Sequence, residues 1–177
     1  MPQKLRKLRM VLYPDPVLTV PGAPVTVFDD QLRSLAARMF ELMREAKGVG
    51  LAAPQAGESI RLFVCNASGE PGHDLVFVNP RFTELVGADE REEGCLSIPG
   101  VTVTLRRATR VVMQALDLSG EPVRAEGTEL MARIWQHEVD HLDGRLIIDR
   151  MSPSDEIANR RALKQLRDDY KGKRPRR

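Results

Sequence analysis

Apolar and polar positions recur along this chain with two periods, and the change of period marks out its elements. Between residues 30 and 46, Leu32, Leu35, Ala36, Met39, Leu42, Met43 and Ala46 fall at offsets 0, 3, 4, 7, 10, 11 and 14. That spacing is one face of an amphipathic helix. Asp29 or Asp30 can cap its start, and Gly48 can end it. Residues 48–57, GVGLAAPQAG, break the period with glycines and a proline and predict an ordered loop. RLFVCN (61–66) and LVFVN (75–79) predict strands, joined through the polar ASGEPGHD. VTVTL (101–105) and RVVMQALD (110–117) are β-like, and LSGEP then turns the chain. A second helix is predicted from about Thr128 to just before Gly144. It places Leu130, Ile134, His137 and His141 on one face, with Glu138 beside them, so the two histidines should face the interior. A last helix opens at Ser152–Pro153, with Asp155 in the capping-box position and Gly172 as its stop. The pattern predicts an α+β fold with short, partly antiparallel sheets around the histidine-bearing helix, and a C-terminal helix.

Composition narrows the setting. A chain of 177 residues suits one domain, here 1–170, followed by a basic tail at 171–177. Two cysteines, Cys65 and Cys95, imply no disulfide framework and a reducing cytoplasm. No apolar run approaches the roughly 20 residues of a membrane span. The basic start carries only MVLY as its apolar part, too short for a secretory signal. The net charge of +2 hides an asymmetry: residues 1–10 carry +4, residues 160–177 carry +7, and the body is left at −9. Such ends are either solvated tails or docking arms for a polyanion such as RNA.

QHEVDH (136–141) adds chemistry. It holds two of the three histidines, four residues apart, with a glutamate directly after the first. Residues i and i+4 lie one turn apart on one helix face, so two imidazoles can reach one ion. Glu138, about 100° around the helix, can approach a water without taking a coordination position. The plain alternative is two ordinary helix histidines. A catalytic metal takes a third protein ligand and keeps one position open. The HExxHxxGxxH extension fails: Gly144 is in place, but Ile147 stands where the third histidine belongs. Glu156, the only glutamate after Glu138, would make the chain a small metallopeptidase. Cys95 in EEGCLS, beside Gly94, would instead complete a Cys-His-His set. The residues alone leave both open. Cys65, inside LFVCN, reads as buried packing, and His73 as a solvated loop residue.

Three segments, GVGLAAPQ (48–55), EGCLS (93–97) and QHEVDHLDG (136–144), resemble in order the three motifs of the peptide deformylase family. The match extends to YPDPVL (13–18) and IIDRMSP (147–153), roughly residues 10–165 in all. The resemblance implies an enzyme that removes the formyl group from the N-terminal formyl-methionine of nascent polypeptides and releases formate. It implies Cys95, His137 and His141 as metal ligands, with Fe(II) as the native metal and Zn, Ni or Co as possible occupants. It implies Glu138 as the base, and the Gln55 amide and the Leu96 backbone N–H as donors to the oxyanion. Val49, Gly50 and Gly94 would lie along the substrate backbone, and Leu130 and Ile134 would line the methionine slot. Glu93 and Arg107 would form a charged network supporting the ligands. The resemblance also implies that the basic C-terminus contacts the ribosome; the chain itself is expected to be a monomer. Two departures stand out. Thr102 and Val103 replace the Arg-Gly of many relatives, which bears on contacts beyond the first substrate residue. Arg91 occupies an often apolar position four before the cysteine, which leaves one wall of the slot undetermined.

Overall fold

The computed structural model describes residues 8–171. Lys4, Arg6 and Lys7, and the basic tail from Gly172 onward, lie outside the described residues. In chain order the elements are α1 (Asp30–Glu45), β1 (Gly50–Ala52), β2 (Leu62–Cys65), β3 (Leu75–Val86), β4 (Asp89–Glu93), β5 (Val103–Arg107), β6 (Arg110–Leu116), β7 (Pro122–Thr128), α2 (Glu129–Leu142) and α3 (Pro153–Asp169). Short 3₁₀ turns occupy Pro16–Thr19, Ala53–Ala56 and Ile147–Arg150. One sheet has the order β1-β2-β3-β6-β7, and β4 pairs with β5 in a separate ribbon. Every pairing between these strands is antiparallel. The expected α+β architecture is therefore present.

The helices start and stop for local reasons. The Asp29 carboxylate accepts the Leu32 N–H at 3.0 Å and caps α1. Ser152 accepts the Asp155 N–H at 3.1 Å while Asp155 accepts the Ser152 N–H at 3.2 Å, a reciprocal box that opens α3. Just past α2, Gly144 sits at φ +72°, and a Cβ there would come within 2.8 Å of the Thr19 carbonyl oxygen. Only glycine fits both constraints.

The strands depart further from the periodic reading. The predicted loop at 48–57 holds a three-residue strand, β1, and a 3₁₀ turn. β3 does not end at Asn79 but runs to Val86. Asn79 takes a left-handed φ of 50° at a register shift, and its side chain exchanges two 2.8 Å hydrogen bonds with the Val25 backbone. The irregularity absorbs the Asn-Pro pair that looks like a stop. β5 begins two residues later than predicted, because Val101 is held in a turn by its N–H bond to the Ile98 carbonyl. β4 and β7 were not anticipated.

Alternation decides the layers. On β2, Phe63 and Cys65 face a cluster with Phe77, Met113, Trp135 and Leu142, so α2 covers that side. Leu62 and Val64 face the other way, against Met39 and Met43 of α1. β2 is thus buried on both faces, and Cys65 is packing, as expected. Burial pushes its thiol up to about 12. A third cluster joins β5 to α3 through Val103, Leu105 and Leu163. α2 is therefore fixed beneath the sheet with one flank turned toward the β4–β5 ribbon.

Candidate metal centre

Cys95, His137 and His141 come together, their ligand atoms all within 4.8 Å of one another. The Cys95 Sγ lies 3.3 Å from His141 Nε2, which lies 3.2 Å from His137 Nε2. Bonds of about 2.0–2.3 Å to one tetrahedral ion put ligand atoms roughly 3.3–3.7 Å apart. The observed spacings are close to that, so a thiolate and two imidazoles could hold one divalent cation. Glu156 is exposed at the start of α3 and does not belong to this group, which removes it as the third ligand.

His137 is held in the tautomer a cation needs, whereas His141 Nδ1 is buried without a hydrogen-bond partner among the described residues. Glu93 accepts from His137 Nδ1 at 3.1 Å, which leaves Nε2 free to ligate. Burial alone would lower the His137 imidazolium, but hydrogen bonding with Cys95 and Glu93 outweighs it and pushes it up to about 10. Proton and metal then compete for this ring. His141 is fully enclosed, and burial, with the charges of His137 and Arg107, keeps it well below its usual value and neutral.

Glu93 is itself gripped. Arg107 Nε and Nη2 donate to its two oxygens at 2.7 and 2.9 Å, and Arg133 Nη1 donates at 2.6 Å. Arg107 also reaches Asp140 at 2.7 Å, and Arg133 reaches Asp89 at 2.7 Å. Burial would raise the Glu93 carboxyl, but the donors from His137 and Arg107 hold it well below the usual carboxylate range. The supporting network expected at Glu93 and Arg107 is thus larger, with Arg133, Asp89 and Asp140 as members not foreseen. One signal was available: an arginine one turn before His137, between Ala132 and Ile134, must find acceptors once buried.

Glu138 behaves oppositely. Burial raises its carboxyl to about 7, opposed by the positive charges of His137 and Arg107. Its Oε2 is buried without a hydrogen-bond partner among the described residues. Gly50 makes room for it: a Cβ there would lie 2.4 Å from Glu138 Oε1. Gln55 is pinned in one orientation, because its Oε1 accepts the Ala52 N–H at 2.9 Å. Its Nε2 therefore points at Cys95 Sγ (3.6 Å) and Ser97 Oγ (3.3 Å). The YPDPVL neighbourhood joins the two loops: Val11 N–H bonds the Gln55 carbonyl and Tyr13 N–H the Ser97 carbonyl, both at 2.8 Å.

These groups open on a cleft of about 470 Å³. Val49, Gly50, Gln55, Glu93, Gly94, Cys95, Leu96, Leu130, Ile134, His137 and Glu138, all predicted site residues, line it. His141 and Arg107 lie behind that surface, each less than 5 % exposed. Leu130 is about half exposed at the mouth, whereas Ile134 is buried deeper in. Arg91 is not part of the lining. It turns away to Asp89 (2.6 Å) and Glu129 (3.1 Å), and the stem of Arg133 takes a place in the wall instead. Thr102 is clamped by Asn159, whose side chain bonds both its N–H and its carbonyl, and Val103 is buried under α3.

Comparison with known proteins agrees with this geometry. Residues 7–156 match the polypeptide deformylase family model. A peptide deformylase of Acidothermus cellulolyticus is 47% identical over 154 residues, 87% of this chain and 84% of that protein. One from Acidobacterium capsulatum is 48% identical over 145 residues, 81% of this chain and 85% of that protein. Among solved structures, the Plasmodium falciparum peptide deformylase superposes with a TM-score of 0.89 at 37% identity, covering 95% of this chain and 100% of that one. The Legionella pneumophila enzyme gives 0.87 at 40%, covering 92% and 96%. With a matching model across most of its length, close relatives of nearly the same extent and the same fold, the chain belongs to the peptide deformylase family.

Proposed function

We propose that this chain hydrolyses the formyl amide at the N-terminal formyl-methionine of new polypeptides, in the cytoplasm, as a monomer with one catalytic domain over 1–170. The observation that carries the reading is the convergence of Cys95, His137 and His141 at the base of a cleft where Glu138 presents an unpartnered carboxylate oxygen. Those three residues would hold the cation. A thiolate with two imidazoles suits Fe(II), Zn, Ni or Co; the resemblance to the family, not the order of affinities, is what favours Fe(II) as the native occupant. When bound, the cation acidifies a water and polarises the formyl oxygen.

The chain's own residues supply the rest. Glu138 takes the proton of the attacking water and delivers it to the departing amine. The Gln55 Nε2–H, aimed by the Ala52 bond, and the Leu96 backbone N–H donate to the oxygen as its negative charge develops. An extended peptide lies along the edge of β1 at Val49 and Gly50, with Gly94 across from it. Leu130 and Ile134 receive the methionine side chain. Glu93 and Arg107 hold His137 in the ligating tautomer. Asn159, buried, takes over the ordering of the 102–103 segment. The basic segment 171–177 serves as a ribosome contact: its removal should spare activity on short peptides and weaken ribosome binding in a salt-dependent way.

Anaerobically purified, metal-loaded protein should release formate from a formyl-methionyl peptide and leave internal peptide bonds intact. Protein holding one cation per chain that released no formate would overturn the proposal.

A further inference from the structure

Arg133 stands one turn before His137 on α2 and is 8 % exposed, with its stem in the cleft wall. Its Nη1 donates to Glu93 Oε1 (2.6 Å) and the Leu105 carbonyl (3.2 Å), and its Nη2 to the Asp89 carboxylate (2.7 Å) and carbonyl (3.2 Å). Glu93 is therefore held from two directions, by Arg107 on β5 and by Arg133 on the helix that carries His137. Its Oε2 is shared by Arg107 and His137, so a rotation of the carboxylate tilts the imidazole. Arg107 grips both oxygens from the β4–β5 ribbon and reaches α2 only indirectly, through Asp140. The second grip ties the carboxylate to α2 itself.

We propose that Arg133 is a positioning residue of the metal centre: through Glu93 it fixes the His137 ring relative to the helix that bears it. The proposal rests on the assignment of Cys95, His137 and His141 as the ligand set.

Arg133→Met keeps an unbranched apolar stem in the wall and removes the guanidinium. Co(II) binding to metal-free protein, followed by its visible spectrum and by chelator competition, is the readout. Arg133→Met should weaken Co(II) binding about 10–100-fold and alter the ligand-field bands, with unchanged circular dichroism. Arg133→Lys, which can still donate to Glu93, should recover part of the affinity; it also serves if the methionine variant fails to fold. Asp89→Asn, which loosens the other anchor of Arg133 and the Arg91 pair but leaves the Arg133–Glu93 bond in place, should weaken Co(II) binding less than Arg133→Met does. Undiminished Co(II) affinity with an unaltered spectrum in both Arg133 variants would overturn the proposal. So would Asp89→Asn weakening binding as much as Arg133→Met, because strand docking would then be the cause. Failure of the ligand assignment looks different: wild-type protein would not take up one Co(II), or Cys95→Ala would still bind it.

Discussion

Two arginine–glutamate forks in this protein have the same geometry and opposite surroundings. Arg107 grips Glu93 through Nε and Nη2 at 2.7 and 2.9 Å, and Arg110 grips Glu126 through the same atoms at the same distances. The first pair has side chains 2 % and 6 % exposed and lies under the metal ligands; the second, 35 % and 45 % exposed, lies on the solvent side of β6 and β7. A buried fork must be completed by other charges, and here Arg133, Asp140 and His137 complete it. The surface fork has a further partner too, Glu84 on Arg110 Nη1 at 3.0 Å, but all three groups remain open to water and are screened by salt. Distance alone therefore says nothing about consequence; burial decides it.

The sharpest way to test this contrast is to cut both forks at the carboxylate. Glu93→Gln should destabilise the protein by about 3–5 kcal/mol, because it strands buried arginines, and should loosen metal binding as well. A denaturant melt with and without metal measures both effects. Gln55→Ala, which leaves both forks intact, should lower kcat about 10²–10³-fold with the metal retained. Between pH 7 and 9, metal affinity should rise roughly tenfold per pH unit for each proton displaced, because the fork's hydrogen bond to His137 helps push that ring up to about 10. Chelator competition across that range measures the slope; a flat profile would mean His137 binds no proton in the metal-free protein.

Acid separates the forks further. Both Glu93 and Glu126 are held below the ordinary value of 4.5 in the folded state, Glu93 by donors that overcome its burial and Glu126 chiefly by the Arg110 hydrogen bond. Each contributes stability that is present above pH 4.5 and lost as pH falls toward its folded value. Glu93→Gln should remove most of that acid dependence and Glu126→Gln little of it. Glu138, buried without a cationic fork, shifts the other way, to about 7. In metal-free protein its contribution is full below pH 4.5 and declines as pH rises to about 7, so Glu138→Gln should flatten stability over that interval. The smallest effect is that of Glu126→Gln at neutral pH, a shift too slight to resolve in a thermal melt.

The same contrast explains what could be read from the chain beforehand. α1, α2 and α3 were legible because a 3.6-residue period and caps such as Asp29 and Ser152 act within a few residues of one another. The two histidines of α2 were legible for the same reason. β4, DEREE, was not, because its charges are compensated by Arg107 and Arg133, 14 and 40 residues from Glu93. β7 is an edge strand whose inward positions are Val123, Ala125 and Gly127, two of them small and only Gly127 fully buried, so its alternation is faint. Arg133 was missed because local pattern does not show which buried charge has acceptors. Cys95 lies 46 residues from His141, beyond any helical or strand period, and was reached through resemblance to a family rather than through spacing.

The measurement that tests the account most directly is formate release from a formyl-methionyl peptide by Glu138→Gln protein, with bound metal quantified in the same sample. The account predicts one cation per chain, held as in wild type, and a rate about 10²–10⁴-fold lower, because the ligands remain and the base is gone. Metal-replete Glu138→Gln protein releasing formate at the wild-type rate would contradict it, and the chemistry would then have to be assigned to another group.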